Sequence, residues 1–324
     1  FNPDGSSVSW HTNPNGQIIT FSDRFGRVTR VERPGEYNTD YTYGYGGQLT
    51  SEVSSNGTSK TYQYDNHDRL YQVLETVPDG KWLRKSYWYA NGGNVASITY
   101  HNPSGMIATE EFSYAYGTNH LISIQGTPVR RIDSENSFGM PIQVTTGSVI
   151  RTYSYSQYGL PTRRTMGQIM DWSYSFDTAK GNLTARTDNC RNITENFTYD
   201  GLNRLKRMDD RRITYSANGN ITRIDDVGSF KYRNKAVSPY QVTDLELDGD
   251  AMPSRLQEAQ YTCYNRPSII EEGGRSAAFT YNGDGDRVKM NVSDGATSVL
   301  TRYYIGNQYE MDVTPNGTTE RLYL

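Results

Sequence analysis

The sequence predicts an all-β chain built from repeated antiparallel hairpins. Three observations support this fold class: frequent turn-forming dipeptides, short segments in which polar and apolar residues alternate, and a composition rich in tyrosine but poor in aliphatic residues. The chain has 324 residues, of which 27 are Tyr and 30 are Gly. Apolar residues, counted with Gly and without Tyr, make up about 36%, whereas ordinary domains reach roughly 45–50%. This composition excludes a helical bundle and a doubly wound α/β enzyme, because both need long aliphatic runs.

Charge and hydropathy exclude further classes of protein. The chain has 33 Lys and Arg against 36 Asp and Glu, and its net charge of −3 provides no overall footprint for nucleic acid or an anionic membrane. Aromatic residues reach 12%, which argues against intrinsic disorder. No run approaches the roughly 18 apolar residues of a membrane-spanning helix. The chain starts at Phe1 and ends at Leu324 without a signal peptide, so we expect a piece of a longer polypeptide.

Asn-Gly and Asp-Gly pairs punctuate the whole chain and predict hairpin turns. Both central residues of a type I′ turn need φ > 0, and Asn, Asp and Gly tolerate that conformation best. We therefore expect type I′ hairpins at these pairs. The twelve pairs begin at residues 4, 15, 56, 79, 91, 200, 218, 248, 282, 284, 294 and 316.

The segments between the turns have the period of a β-strand. In Phe197-Thr-Tyr199 and Phe279-Thr-Tyr281 the two rings lie on one face of a sheet and the threonine on the other. No stretch of about twelve residues shows the 3.6-residue period of an amphipathic helix.

An internal repeat organises these segments. Its clearest copies start at Tyr62, Phe197 and Phe279; each has an aromatic-x-Tyr segment, then Asp or Asn, and three residues later a Gly, Asn or Asp. The spacing is mostly close to 21 residues, which equals two strands of five or six residues and two turns. Each repeat is therefore one hairpin. The Gly, Asn or Asp position recurs at 26, 47, 68, 93, 139, 159, 181, 203, 219, 265 and 285.

A single hairpin cannot bury its faces and must pair with its neighbours. We expect the tyrosine rings to stack along the sheet with their hydroxyl groups in water. The arginine that follows the turn would lie across a neighbouring ring as a cation–π partner, at Arg69, Arg204 and Arg287. The chain would extend sideways with a wet interior surface instead of a packed core, and its edge strands would tend to associate.

The motif Tyr-x-Tyr-Asp-x-x-Gly/Asn-Arg-Leu at this spacing resembles the YD repeats of the RHS family. That family includes bacterial RHS proteins, the C component of insecticidal toxin complexes and the animal teneurins. The resemblance makes residues 1–324 a fragment of a YD/RHS-repeat array, with clear repeats over 17–310. Residues 261–324 are similar to the segment that leads into the RHS-associated core of bacterial members, although the core itself is not found here.

The resemblance implies a fold and a function. Such repeats wind into a curved one-layer spiral sheet that forms a hollow β-shell around a polymorphic toxin. The chain would be a structural scaffold, part of the shell wall that encapsulates a C-terminal toxin domain for secretion or delivery. It would be secreted or exposed on a bacterial cell surface. Its partners would be the remaining repeats, the RHS core and the toxin domain of the same polypeptide.

The sequence points to no catalytic, cofactor-binding or metal-binding residue. The histidines lack metal-ligand spacing, and nucleophile-elbow and phosphate-loop motifs are absent. The segment from Asn282 to Asp286 looks like the start of a calcium loop, but the sixth and twelfth positions are Arg287 and Ser293 instead of Gly and Glu. Acidic residues fall mostly at turn positions, where capping of the turn explains them. The four histidines are His11, His67, His101 and His120, and acids at turns include Asp65, Asp200 and Asp284.

Cys190 and Cys263 are too few for a disulfide framework. Two isolated thiols are favoured, and a bridge between them stays open because its geometry cannot be judged from sequence.

Two alternatives remain open. Exposed rings, among them Trp82, Trp88 and Trp172, could stack on sugar faces, which would make the chain an extracellular carbohydrate- or protein-binding module. The competing fold is a β-propeller, whose blades need roughly 40–45 residues, about two repeats of this chain. Direct similarity between adjacent 21-residue units favours the hairpin array over the propeller.

Overall fold

The computed structural model describes residues 2–115, 118–233, 239–240, 242–249 and 257–324. This part of the chain contains thirty β-strands and one single-turn 3₁₀ segment, Pro78–Gly80, so the predicted all-β class is confirmed. The chain folds as two compact units. The first comprises Phe1–Glu111 and Arg255–Leu324, and the second comprises Phe112–Ser254.

Three antiparallel meanders account for the strands. The N-terminal sheet, which lies in the first unit except for the last four residues of β10, contains β1 (Ser7–Asn13), β2 (Gly16–Ser22), β3 (Val28–Arg33), β4 (Tyr37–Tyr43), β5 (Leu49–Ser54), β6 (Ser59–Tyr64), β7 (Leu70–Val77), β8 (Lys81–Tyr89), β9 (Val95–Asn102) and β10 (Gly105–Ala115). The second unit contains β11 (Thr118–Ile124), β12 (Thr127–Glu135), β13 (Pro141–Thr146), β14 (Val149–Tyr155), β15 (Pro161–Met166), β16 (Met170–Asp177), β17 (Asn182–Asp188), β18 (Ile193–Tyr199), β19 (Leu205–Met208), β20 (Arg211–Tyr215), β21 (Ile221–Ile224), β22 (Gly228–Lys231) and β23 (Asp244–Leu247). The C-terminal sheet, again in the first unit, contains β24 (Gln257–Tyr261), β25 (Pro267–Glu272), β26 (Arg275–Tyr281), β27 (Arg287–Asp294), β28 (Thr297–Ile305), β29 (Tyr309–Thr314) and β30 (Gly317–Leu322).

Within each meander, every strand pairs antiparallel with the strand that follows it. In the second unit the series from β11 to β23 is unbroken. A propeller would interrupt the pairing after every fourth strand, because each blade is a separate four-stranded sheet. The unbroken series therefore contradicts the propeller alternative and confirms the repeated antiparallel hairpins.

The turns fall into two sets on opposite edges of each meander, because alternate turns of antiparallel strands lie on the same edge. We call the turns that contain the repeat position the repeat turns, and the turns on the opposite edge the return turns. The repeat turns are 23–27, 44–48, 65–69, 90–94, 136–140, 156–160, 177–181, 200–204, 216–220, 262–266 and 282–286, and the return turns of the N-terminal sheet are 13–16, 33–37, 54–59, 77–81 and 102–105.

All eleven repeat positions found in the sequence adopt positive φ, between 58° at Asp68 and 90° at Gly219. The expected type I′ geometry is nevertheless wrong for most of the twelve dipeptides, since only Asp79-Gly80 has positive φ at both residues. The repeat turns are longer: Gly26 N donates to Asp23 O at 3.0 Å and Asp23 N to Arg27 O at 2.9 Å. This is a type I turn followed by one left-handed residue, which forms a bulge and shifts the strand register.

The second tyrosine of the repeat ties each hairpin to the preceding one. Tyr64 Oη donates to Leu49 O at 2.8 Å, and Tyr199 Oη donates to Leu183 O at 2.9 Å. The acceptor residue directly follows the preceding repeat turn and lies outside the pairing of its own strand with the strand that follows. Its carbonyl therefore lacks a backbone partner on that side. The expectation that these hydroxyl groups reach water is therefore wrong. The same bond is made by Tyr43, Tyr89, Tyr155, Tyr215, Tyr232 and Tyr281.

Removing one of these hydroxyl groups should lower stability by about 1 kcal/mol, because a half-buried carbonyl loses its donor. We expect this loss for Tyr199→Phe, measured by urea unfolding. The matched control is Tyr45→Phe, since Tyr45 is fully exposed. Equal stability of the two variants would show that the hydroxyl bonds between repeats contribute nothing.

The first unit has a packed core, contrary to the expected wet interior. Leu83 and Tyr100 of the N-terminal sheet are 0% exposed and belong to one cluster with Tyr303, Ile305 and Met311 of the C-terminal sheet. The expectation failed because two sheets far apart in sequence meet at their turns here. Among the described residues of the second unit, only Ser123, Ile132, Val144, Asp188 and Gly228 are buried, so this part is a thin layer, as the composition predicts.

Candidate functional site: the seam between the two sheets of the first unit

The repeat turn is built by its acidic residue and its arginine. Asp65 Oδ1 accepts from His67 N at 2.9 Å and Arg69 N at 3.1 Å, and its Oδ2 accepts from Arg69 Nε at 2.8 Å. The Arg69 bond lowers the pKa of Asp65 to about 2. Asp200 and Arg204 repeat the arrangement. The predicted role as turn caps is confirmed for Asp65 and Asp200. It is wrong for Asp284, whose carboxylate pairs with Lys60 while Asn282 caps that turn.

The arginine then covers a ring of the next repeat. The Arg69 guanidinium lies 4.3 Å from the centre of the Tyr89 ring, and Arg204 lies 4.3 Å from that of Tyr215. Arg287 lies 4.6 Å from the Tyr304 ring. The predicted cation–π contacts are confirmed, and they link successive hairpins.

The calcium-like segment is an ordinary repeat turn. Asn282 Oδ1 accepts from Asp284 N at 3.1 Å and from Asp286 N at 2.8 Å, which is the capping pattern of Asp65. No group of three or more His, Cys, Asp or Glu residues that could hold a metal ion is found in the described ranges. Of the four histidines, His120 lies 3.1 Å from Glu135.

Sequence reasoning missed the contact between the two sheets of the first unit, which we call the seam. In the seam, repeat turns of the C-terminal sheet insert between return turns of the N-terminal sheet. Asn15 Nδ2 donates to Asn265 Oδ1 at 2.9 Å, and Asn13 Nδ2 donates to Cys263 O. Residues 250 positions apart in sequence are thereby joined. The seam consists of return turns 13–16, 33–37, 54–59, 77–81 and 102–105 on one side and turns 262–266, 282–286 and 305–309 on the other.

Arg33 is a cation buried in the seam, with 7% of its surface exposed. Its Nη2 donates to Gly283 O at 2.8 Å, and its Nη1 to Thr39 Oγ1 at 3.2 Å. The guanidinium lies 4.7 Å from the Tyr37 ring and 5.4 Å from the Tyr264 ring. Two aromatic faces and two oxygen acceptors thus replace the carboxylate that a buried arginine usually pairs with.

Tyr264 is the third residue of its repeat turn, and its ring lies in the seam. It makes edge-on contacts with Tyr37 and Tyr281, with ring centres 6.3 and 5.8 Å apart. Tyr37 Oη donates to Asn282 O at 2.7 Å. The side chain at the third turn position therefore forms the contact between sheets, while its own turn needs only its backbone.

Charged and polar pairs continue the seam toward its other end. Lys60 Nζ pairs with Asp284, and Lys289 Nζ lies 2.6 Å from Asp79. Lys85 Nζ donates to Gly306 O at 2.7 Å. The two sheets thus meet through the apolar cluster around Leu83 and through these polar contacts beside it.

A carboxylate is buried beside this margin. Glu52 is 6% exposed and accepts a hydrogen bond from Tyr62 Oη. Burial raises the pKa of Glu52, and the charges of Asp284 and Glu75 raise it further, while the Tyr62 bond and Lys60 lower it. A small cavity of about 10 Å³ is lined by Glu52, Lys60 and Glu75.

Because the pKa of Glu52 is raised in the folded state, folding favours its protonated form. Its contribution to stability is present below the ordinary carboxyl range and is lost as the pH rises through the folded pKa. Glu52→Gln keeps an acceptor for Tyr62 and removes the charge. We expect a thermal midpoint a few degrees higher than the natural protein at neutral pH, and no difference in acid. Glu258→Gln, at an exposed position of β24, is the control that should change neither value. A destabilised Glu52→Gln at neutral pH would contradict the argument.

Both cysteines are free, so the bridge left open by the sequence does not form. Cys263 is buried in the seam, where its N donates to Glu36 Oε1 at 2.5 Å, and burial raises the pKa of its thiol to about 11. Cys190 is exposed. The Cys263 thiol therefore lacks the depressed pKa that nucleophilic thiols show.

The three tryptophans of the binding-module alternative differ in exposure. Trp88 is 59% exposed and makes an edge-on contact with Tyr71 at 6.5 Å. Trp172 is half-buried beneath Arg186, whose guanidinium lies 5.0 Å from its ring centre, and Trp82 is half-buried too. The described residues include no helix long and apolar enough to cross a membrane.

The repeated hairpins and the capped turns define a β-sheet protein built as an array of antiparallel hairpins, and comparison with known proteins agrees with a repeat. Residues 46–81 match the family model described as RHS Repeat. This match confirms the predicted resemblance to the RHS family. No curated protein sequence matches the chain.

Solved structures of similar fold are toxin-complex proteins. The crystal structure of TcdB2-TccC3 without its hypervariable C-terminal region has a TM-score of 0.53 and 13% identity, covering 98% of this chain and 24% of that chain. The TcdB2-TccC3 crystal structure has a TM-score of 0.50 and 12% identity, covering 96% and 22%. The Tc holotoxin pore of Photorhabdus luminescens, with the mutation TccC3-D651A, has a TM-score of 0.46 and 13% identity, covering 96% and 22%. This chain thus spans about a quarter of the length of these proteins.

Proposed function

We propose that the chain is a structural scaffold, a segment of the wall of an RHS/YD-repeat shell that encloses a C-terminal toxin domain for secretion or delivery. The observation that carries this proposal is the seam. The C-terminal sheet contributes its repeat-turn edge to the seam, and the N-terminal sheet contributes its return-turn edge. The contact therefore joins two unlike edges. The remaining repeat turns 23–27, 44–48, 65–69 and 90–94 form the second edge of the N-terminal sheet.

A contact between unlike edges can be repeated, whereas a contact between like edges closes on itself. A long array of hairpins can therefore add one layer on another, each joined to the previous layer as the C-terminal sheet is joined to the N-terminal sheet. This property suits a wall. The similarity in fold to the toxin-complex structures supports the same role, and the absence of catalytic motifs from the sequence agrees with a scaffold.

The enclosure of a toxin domain is tested on the full polypeptide encoded by the source gene. We expect the reading frame to carry an RHS core and a further domain, and limited proteolysis to leave that domain intact. Gly283→Val should open the seam and make the domain cleavable, because Gly283 has no room for a side chain. Gly201→Val, at the same turn position in open space, is the control. A domain that is cleaved equally in all three proteins, or that is not encoded, would contradict enclosure.

One observation favours the second candidate function, an extracellular carbohydrate-binding module. The exposed Tyr71 and Trp88 rings form a pair on the surface, and paired rings can stack on sugar faces. A glycan array followed by titration calorimetry tests this candidate. Binding should be lost in Trp88→Ala and kept in Trp10→Ala, because Trp10 is 65% exposed on another strand. If the natural protein binds no glycan, this candidate is ruled out.

A further inference from the structure

The first unit contains a cleft beside the seam, with a volume of about 280 Å³. This volume lies at the lower end of the roughly 300–1,000 Å³ of small-molecule sites, so the cleft suits one ring-sized molecule. The C-terminal sheet provides one side, and return turns 33–37 and 54–59 of the N-terminal sheet provide the other. Half of the lining residues are aromatic: Tyr37, Tyr261, Tyr264, Phe279 and Tyr281.

Contacts between the two sheets hold the cleft in shape. Asn56 Nδ2 donates to Tyr281 O at 2.8 Å across the seam. Tyr37 and Tyr281 are 8% and 6% exposed, so their rings form the base of the cleft, and Tyr264 contacts both of them edge-on. A ligand therefore meets side chains that are already ordered, which lowers the entropic cost of binding.

Tyr261 and Phe279 provide the accessible aromatic surface. Tyr261 is 40% exposed and Phe279 is half-buried. Neither Tyr261 Oη nor Ser268 Oγ forms a hydrogen bond with another described residue, and a hydroxyl group can both donate and accept. The cleft thus offers apolar ring surface next to uncommitted hydroxyl groups.

Glu36 is the one carboxylate among the described residues that line the cleft. Its Oε1 accepts from Cys263 N at 2.5 Å, which holds the carboxylate in place. A carboxylate has about four acceptor positions, so Glu36 keeps capacity for the hydroxyl groups of a ligand. Hydrogen bonds to an ionised acceptor are among the stronger ones in proteins.

The charges around the rings favour a neutral ligand. The Arg33 guanidinium lies 4.7 Å from the Tyr37 ring centre and 5.4 Å from that of Tyr264, and the Arg287 guanidinium lies 5.6 Å from that of Phe279. These arginines already interact with three of the five rings and would repel a bound ammonium group. Glu36 would in turn repel an anion. A neutral ring that carries several hydroxyl groups matches both the aromatic and the polar part of the lining.

We propose that this cleft binds a single neutral pyranose sugar. The rings of Tyr261 and Phe279 contact the apolar face of the sugar, while Glu36 and Ser268 form hydrogen bonds with its hydroxyl groups. This activity goes beyond the scaffold role and does not depend on it. The site is also separate from the exposed ring pair on β7 and β8, because the two share no residue.

Saturation-transfer NMR with the methyl pyranosides of glucose, galactose, mannose and N-acetylglucosamine tests the proposal. At least one of them should bind to the natural chain. Tyr261→Ala should weaken that binding at least about tenfold, because the stacking ring is lost. Ser268→Leu should abolish it, because the larger side chain fills the cleft and removes a hydroxyl group. Circular dichroism verifies that both variants are folded.

Trp88→Ala is the matched control, since it removes an exposed ring outside the cleft and should leave the affinity unchanged. Choline, a cation of similar size, should not bind. The proposal would be overturned if no pyranoside bound more tightly than about 10 mM, or if choline bound more tightly than every pyranoside. A loss of binding in Trp88→Ala that Tyr261→Ala does not share would assign the sugar to the surface ring pair and overturn the cleft. None of these results bears on the enclosure of a toxin domain, which the proteolysis experiment tests separately.

Discussion

Gly283→Ala is expected to destabilise the first unit by about 1–3 kcal/mol, the usual cost of forcing a methyl group into a filled space. A Cβ at Gly283 would lie 2.9 Å from Thr39 Cγ2 and 3.3 Å from Tyr41 Oη. Thr39 is 0% exposed and cannot give way, because its Oγ1 accepts from Arg33 and shares a hydrogen bond with Ser54. Urea unfolding of the variant measures the loss.

The control for this experiment is Gly201→Ala, at the second position of another repeat turn. No atom lies within 4 Å of a Cβ at Gly201, and neither glycine has positive φ. Gly201→Ala should be neutral or stabilising by up to about 1 kcal/mol, because alanine restricts the unfolded chain. If both variants lost a similar free energy of unfolding, the methyl group would be destabilising the turn itself and not the seam.

Leu83→Ala is expected to lower stability by about 2–5 kcal/mol, the range for truncating a leucine in a core that cannot collapse. Leu83 is 0% exposed in the cluster that joins the two sheets of the first unit. The comparison is Leu202→Ala, where the side chain is 73% exposed and the change should stay within about 0.5 kcal/mol.

A double-mutant cycle distinguishes packing between the sheets from packing within one sheet. Ile305 lies in the same cluster and belongs to the C-terminal sheet. If the sheets pack on each other, Leu83→Ala and Ile305→Val should be non-additive by at least about 0.5 kcal/mol. Strict additivity would mean that the two side chains do not share a core.

Most of the features that depend on a few neighbouring residues were predicted from the sequence. The positions of the repeat turns, the capping of the turn by Asp65 and the placing of Arg69 over Tyr89 were all predicted correctly. These features depend on φ preferences and on partners within one repeat or the next. The turn type was predicted wrongly, because the dipeptide Asn-Gly or Asp-Gly does not reveal that the turn spans five residues, such as 23–27, and closes with a bulge.

The seam was decided only by the tertiary structure. Arg33, Tyr37 and Gly283 belong to the turns of two sheets whose contacts span 250 sequence positions, and no local pattern distinguishes them from the residues of other turns. The aromatic third position of the turn at Tyr264 was the available signal, but it recurs at Phe138 and Tyr158, where the ring is exposed. Local preferences therefore determined the hairpins, while the core and its buried cation arose because two sheets met, which depends on long-range geometry that short-range periodicity does not encode.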